Sequence, residues 1–168
     1  LSLQDLQAYT PKVREPLCFD YAAAAPARAY RICGMPPPSS GALAVGQILG
    51  MLQSTDAQRL PLAQGLPTAD WLHLYTEAAR LAFADRAQYV ADPDFVLPPA
   101  GSWGSLLEPA YLAARAKRMD GGPSGKRMKV APAGSPGALP VAYAPMPDQP
   151  EYGTSHISIV DRWGQALA

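Results

Sequence analysis

Gly153-Thr154-Ser155-His156-Ile157-Ser158-Ile159-Val160-Asp161 joins a proline-rich stretch to an alternating strand pattern. A threonine that follows glycine at the start of a buried strand, after a flexible segment, suits a chain that cuts itself. Thr154 Oγ attacks the Gly153 carbonyl, the amide becomes an ester, and water releases a new amino terminus. Glycine at 153 lets the backbone distort without a Cβ clash. The freed Thr154 then carries a hydroxyl nucleophile and an α-amine base on one residue. That amine, with an ordinary pKa of about 7.7–8.0, is about one-tenth neutral at pH 7, whereas an ordinary lysine is neutral in about one molecule per two thousand. The α-amine is therefore a better base than Lys126 or Lys129. Gly153 and Thr154 are the candidate processing site and Thr154 the candidate nucleophile. Ser155 and His156 are candidates for support, with hydrogen bonding to a backbone group or a polar pocket as their simpler duties.

Upstream of the junction, glycine and proline make up 13 of the 34 residues from Asp120 to Gly153. That density excludes regular elements and marks residues 120–153 as a flexible linker. Downstream, Ser155 to Asp161 reads as a strand, Arg162-Trp163-Gly164-Gln165 as a turn, and Ala166 to Ala168 as the start of a return strand.

Further toward the amino end the periodicity turns helical. Ser2 followed by Asp5 opens a short helix, which gives way to an extended lead-in around Pro11 and Pro16. Residues Ala29 to Met35 alternate as a strand, which Pro36-Pro37-Pro38 ends. Ser39 or Ser40 then caps a buried helix carrying Leu43, Val45, Ile48, Leu49 and Leu52. The longest helix starts at the Thr68 cap and runs to about Val90 with Trp71, Tyr75, Phe83 and Tyr89 as core or interface residues. Asp92-Pro93-Asp94 stops it. A further helix is expected from about Ser105 to Met119, with Pro109 near its first turn.

The 168 residues, 48% apolar, suit one packed domain, and 14 basic side chains balance 14 acidic ones. No nucleic-acid partner, anionic membrane surface or membrane span is expected. Asp85, Asp92 and Asp94, with Arg86 among them, match no calcium loop and suit an ion-pair and turn network, so no metal is expected. His73 is expected to be structural. Cys18 and Cys33 fit no metal or redox spacing. A disulfide in an oxidising compartment and two buried free thiols both account for them. Leu1 is not an initiator methionine, and the chain is expected to be an interior piece of a longer precursor.

Four stretches in order carry a resemblance: Ser2-Leu3-Gln4-Asp5-Leu6-Gln7-Ala8-Tyr9, Met35-Pro36-Pro37-Pro38-Ser39-Ser40-Gly41, Phe83-Ala84-Asp85-Arg86 with Tyr89 and Asp92-Pro93-Asp94-Phe95, and Thr154-Ser155-His156 with Val160-Asp161 and Gly164. The chain resembles the gamma-glutamyltransferase family. That resemblance implies an α/β fold, the N-terminal-nucleophile hydrolase αββα sandwich, of which this chain is an incomplete segment. Residues 1–153 then resemble the C-terminal part of the large-subunit region, and residues 154–168 the first strands of the small-subunit region. It also implies a zymogen that cleaves itself and transfers or hydrolyses gamma-glutamyl groups of glutathione-type amides. No cofactor is implied; the partners are the small-molecule amide and the remaining segments of the precursor, and the setting is periplasmic or secreted.

Ala42 stands where the family has a second glycine, so the backbone there is expected to be less strained or less closely approached. Gly153-Thr154-Ser155-His156 also resembles the branch that includes cephalosporin acylases, which makes glutaryl amides the competing substrates. A non-catalytic or unprocessed relative acting as a structural module is the third possibility.

Overall fold

A computed structural model of the protein describes residues 2–24, 28–119, 125–139, 142–147 and 155–167. Helix α1 (Leu3–Ala8) begins with the expected capping box: Ser2 Oγ accepts from the Asp5 amide, and the Asp5 carboxylate accepts from the Ser2 amide. The lead-in then becomes strand β1 (Leu17–Ala23), which pairs antiparallel with β2 (Arg28–Gly34). Cys18 faces Cys33 in the register and the two are disulfide-bonded, so the free-thiol alternative falls. The strand read from Ala29 to Met35 is thus one half of a hairpin. Its partner escaped notice because Leu17–Ala23 becomes a strand through a pairing formed across a turn rather than through its own period.

After Pro36-Pro37-Pro38, the Ser39 amide bonds back to the Pro36 carbonyl, closing a turn into helix α2 (Gly41–Gln53). Neither serine caps as expected: Ser40 is the cap residue by position, but its hydroxyl accepts from Arg86 Nε at 2.9 Å instead. Leu43, Ile48, Met51 and Leu52 are buried, whereas Val45 is exposed on the opposite face. A two-residue ladder, β3 (Leu62–Ala63) with β4 (Leu66–Pro67), leads to α3 (Ala69–Tyr89). Thr68 caps α3 by accepting from the Trp71 amide, and Val90 terminates it in an extended conformation. At 21 residues this helix is about 31 Å long.

The expected helix from Ser105 to Met119 is split. Trp103–Leu107 is a 3-10 turn, and α4 (Pro109–Ala116) begins at Pro109. Proline lacks the amide needed to continue a helix and holds the residue before it out of helical angles; Glu108 accordingly sits at φ −59°, ψ 130°.

The core lies where α2, α3 and α4 meet. Ile48, Met51 and Leu52 pack with Leu74, Ala78, Leu81 and Ala82 and with Leu112 and Ala116. A second cluster joins Leu43, Tyr89 and Leu106. Strands β1 and β2 both pack on α2, and at the end of β2 the approach is close. A Cβ added at Gly34 would lie 3.0 Å from the Ala42 Cβ. Ala42 is buried, and the small partner that admits its methyl is Gly34.

No helix or strand forms in the described residues 125–139 and 142–147, as their glycine and proline content requires. They are nevertheless held against α3 by hydrogen bonds, and this stretch is called the strap below. The final hairpin is shorter than expected: β5 (Ile159–Val160) pairs with β6 (Ala166–Leu167) through a turn that contains Gly164 at φ +83°. Residues 155–158 are not strand, and the segment is not buried; Ile157, Ile159, Val160 and Leu167 are all exposed. Among the described residues the strands form three separate two-stranded ladders alongside the helices, a mixed helix and strand arrangement.

Candidate functional site

Gly153 and Thr154 lie outside the described residues. Ser155 and His156 are described and exposed, and His156 Nε2 sits 2.8 Å from Ser158 Oγ. Among the described residues, what leads to the junction is the strap, and α3 is what holds it.

The holding groups are two carboxylates eight residues apart, which places Glu77 and Asp85 on one face of α3. Both are 1% exposed. Glu77 accepts from the Met128 amide at 2.8 Å and from Arg80 at 2.6 Å. Burial pushes the Glu77 carboxyl up, but the Met128 amide and the Arg80 guanidinium outweigh it and hold it below the usual range. Asp85 is the more connected group. Its Oδ1 accepts from Arg115 Nη2 at 3.0 Å and the Gly134 amide at 2.7 Å, and its Oδ2 accepts from Gln47 Nε2 at 2.9 Å and the Tyr111 hydroxyl at 2.7 Å. One carboxylate of α3 thereby ties together α2, α4 and the strap.

Arg115 completes the node by donating to the Leu81 and Pro132 carbonyls at 3.0 and 2.8 Å. Burial, and then the Asp85 charge, push the Tyr111 and Tyr89 hydroxyls up, so both stay protonated and donate at neutral pH. Tyr89 donates to the Gly134 carbonyl at 2.5 Å, so Gly134 is gripped at both its amide and its carbonyl. Only glycine fits there: a Cβ would lie 2.2 Å from the Tyr111 hydroxyl oxygen and 2.8 Å from Arg115 Cδ.

On the other side, a groove of about 600 Å³ brings together three of the motif stretches: Tyr9 from the first, Met35, Pro36 and Ser39 from the second, and Asp94 with Phe95 from the third. Lys12 and Arg14 cross it to Asp94, with Arg14 reaching Asp94 at 3.0 Å and Asp92 at 3.4 Å. Lys12 first, then Arg14, hold the Asp94 carboxyl below the usual range. These pairs fix the lead-in on the end of α3; they provide neither a nucleophile nor a base.

The chain matches gamma-glutamyltranspeptidase over residues 1–168. It belongs to the gamma-glutamyltranspeptidase family. The glutathione hydrolase proenzyme of Escherichia coli (strain K12) is 34% identical over 168 residues, which is 100% of this chain and 25% of that protein. An acylase ACY 1 proenzyme of Pseudomonas sp. (strain V22) is 39% identical over 111 residues, 66% of this chain and 18% of that protein. Among solved structures, a gamma-glutamyltranspeptidase from Pseudomonas nitroreducens complexed with L-DON superposes with a TM-score of 0.64 at 31% identity, covering 79% of this chain and 36% of that one. The Helicobacter pylori gamma-glutamyltranspeptidase does so with a TM-score of 0.58 at 30% identity, covering 77% and 33%. The chain therefore spans about a quarter of the length of the curated relatives it matches.

In this chain the acidic residues divide differently from the expected single network. Asp92 and Asp94 do form an ion-pair network, with Arg14 and Lys12, but Asp85 belongs to the buried node and Arg86 turns to Ser40. Among the described residues no three His, Cys, Asp or Glu side chains cluster as metal ligands, and no helix is long and apolar enough to cross a membrane. The node itself was missed, although a signal exists: Glu77 and Asp85 interrupt the buried face that includes Leu74, Ala78, Leu81 and Ala82. Charges on an apolar face require buried partners.

The direction of the Glu77 shift sets a pH dependence. The folded carboxyl titrates below its ordinary value of 4.5, so its stabilising contribution is complete above about pH 4.5 and is lost as pH falls through the lower folded value. Urea midpoints of the full-length protein between pH 3 and 6 are expected to fall with acidification, and Glu77→Gln is expected to flatten that fall. An identical pH profile for the variant would remove Glu77 from the account.

Proposed function

We propose that this chain is the part of a self-processing gamma-glutamyltransferase-like enzyme in which the precursor splits between Gly153 and Thr154. Residues 1–153 end the large subunit and residues 154–168 begin the small one, within an αββα sandwich completed by other segments of the precursor. Thr154 Oγ attacks the gamma-carbonyl of a glutathione-type amide, the amine leaves with a proton relayed through the Thr154 α-amine, and the acyl group passes to water or to an acceptor amine. Ser155 and His156 stand beside it as supporting groups. The observation that carries this reading is the family match across the whole chain, Gly153-Thr154-Ser155-His156 included, together with relatives named as proenzymes. A periplasmic or secreted setting suits the Cys18–Cys33 bond, since disulfides persist in oxidising compartments.

A second reading keeps the nucleophile and changes the acyl group. The 39% identity to the acylase ACY 1 proenzyme, over 111 residues, favours a glutaryl-amide or cephalosporin acylase. Product release by the full-length protein from a gamma-glutamyl anilide and from a glutaryl cephalosporin separates the two. The leading reading predicts the anilide as the better substrate by at least tenfold in kcat/KM. The reverse preference assigns the acylase, and inertness toward both leaves only a structural module.

A further inference from the structure

The strap runs along α3 in the same direction as the helix, and most of what seizes it is backbone. Met128 is held through its amide by Glu77, and Gly134 through both amide and carbonyl by Asp85 and Tyr89. Further on, Gln88 Nε2 donates to the Tyr143 carbonyl at 2.7 Å, and the Met146 amide donates to the Ala87 carbonyl at 2.7 Å. The Tyr143 ring meets Tyr89 edge to face at 5.2 Å, and its hydroxyl donates to the Leu97 carbonyl at 2.8 Å. Gripping of this kind ignores the strap's own side chains except where it demands glycine at 134 and tyrosine at 143. A fixed path for the chain is what it secures.

We infer that α3 is a positioning rail for self-cleavage, with Gln88 and Tyr143 as the positioning residues nearest the junction. This rests on Thr154 being the self-cleaving nucleophile and adds to it a reason that the scissile peptide finds its place. From Met146 to Gly153 the chain has seven residues, a reach of at most about 25 Å. With the anchors at 143 and 146 released, the last fixed point is Ala138, whose carbonyl accepts from the Ala100 amide at 3.0 Å, and the free lead grows to 15 residues. The density of chain ends at a fixed point falls roughly as the 3/2 power of length, so the lead that was seven residues becomes about threefold less effective. Once the bond is cut, the strap has no further part in turnover.

The variant Gln88→Glu/Tyr143→Phe keeps side-chain volume while replacing a donor with an acceptor and deleting the hydroxyl. The Met146 hydrogen bond left behind does not alone offset the entropy of ordering the residues around it. Self-cleavage of full-length precursor, followed by intact mass over time, is expected to slow about threefold. The thermal midpoint is expected to hold, as is gamma-glutamyl anilide turnover per mole of new amino-terminal threonine. Cleavage at the wild-type rate, with Thr154→Ala remaining uncut, overturns the rail and leaves the nucleophile standing. Slower cleavage accompanied by an equal loss of turnover per cleaved molecule, or by a lowered thermal midpoint, makes the contacts merely structural and also overturns it. A Thr154→Ala precursor that still splits at Gly153 removes the nucleophile and the rail together.

Discussion

Replacing Asp85 with alanine is expected to destabilise the full-length protein by about 3–5 kcal/mol, measured by urea unfolding. The size follows from what remains behind. Arg115 is 4% exposed and, among the described residues, keeps its charge with the Leu81 and Pro132 carbonyls alone as acceptors and with its Nε lacking a partner. Gln47 Nε2 keeps the Leu106 carbonyl at 3.2 Å, but the Tyr111 hydroxyl and the Gly134 amide lose the acceptor they share. An unpaired buried charge costs more than a lost neutral hydrogen bond, which is why this substitution should exceed Tyr111→Phe, expected at about 1 kcal/mol. Asp85→Ala within 1 kcal/mol of the wild type would show that water reaches the node and that Asp85 does not tie the helices to the strap.

The second large effect belongs to Thr154. On the proposed reading Thr154→Ala removes the hydroxyl that both cuts the chain and carries the acyl group, so cleavage at Gly153 is expected to stop and turnover to fall by at least about a thousandfold. Thr154→Ser retains the oxygen and loses only the methyl that restricts its rotamer. It is expected to cleave and turn over, more slowly, with the same new amino terminus displaced by no residue. The contrast between the two substitutions isolates the hydroxyl from the position, because both shorten the side chain and only one deletes the nucleophile.

Much of the helical frame is legible in the sequence because helices announce themselves locally. Thr68 with its first-turn Asp70, and Ser2 with Asp5, cap the helices that follow them, and α3 ends at Tyr89, three residues ahead of the Asp92-Pro93-Asp94 stop. Pro109 divides a 3-10 turn from α4 rather than sitting near the first turn of one helix. Strand β1 was illegible for a different reason. Leu17–Ala23 gains its identity from β2 and from the Cys18–Cys33 bond, neither of which is a property of the segment. The terminal hairpin shows the limit of an alternating pattern: Ile157 and Ile159 read as a buried strand, yet they stand exposed.

The same division runs through the site. The proposed role of Thr154 can be read from the sequence because that chemistry needs one residue and one preceding glycine. The node around Asp85 is not, because its partners lie 26, 30, 38 and 49 residues away, at Tyr111, Arg115, Gln47 and Gly134. A local reading puts Asp85 in an ion-pair and turn network with its sequence neighbours. Only the folded chain brings three helices and the strap to one carboxylate.

The central claim is that the hydroxyl of Thr154 severs the chain in front of itself, and amino-terminal sequencing of the purified full-length protein, together with its intact mass, tests it directly. The account predicts two polypeptides, the smaller beginning Thr-Ser-His-Ile, and a single uncut polypeptide from Thr154→Ala. One unbroken wild-type chain, or a new terminus at any other residue, would contradict it.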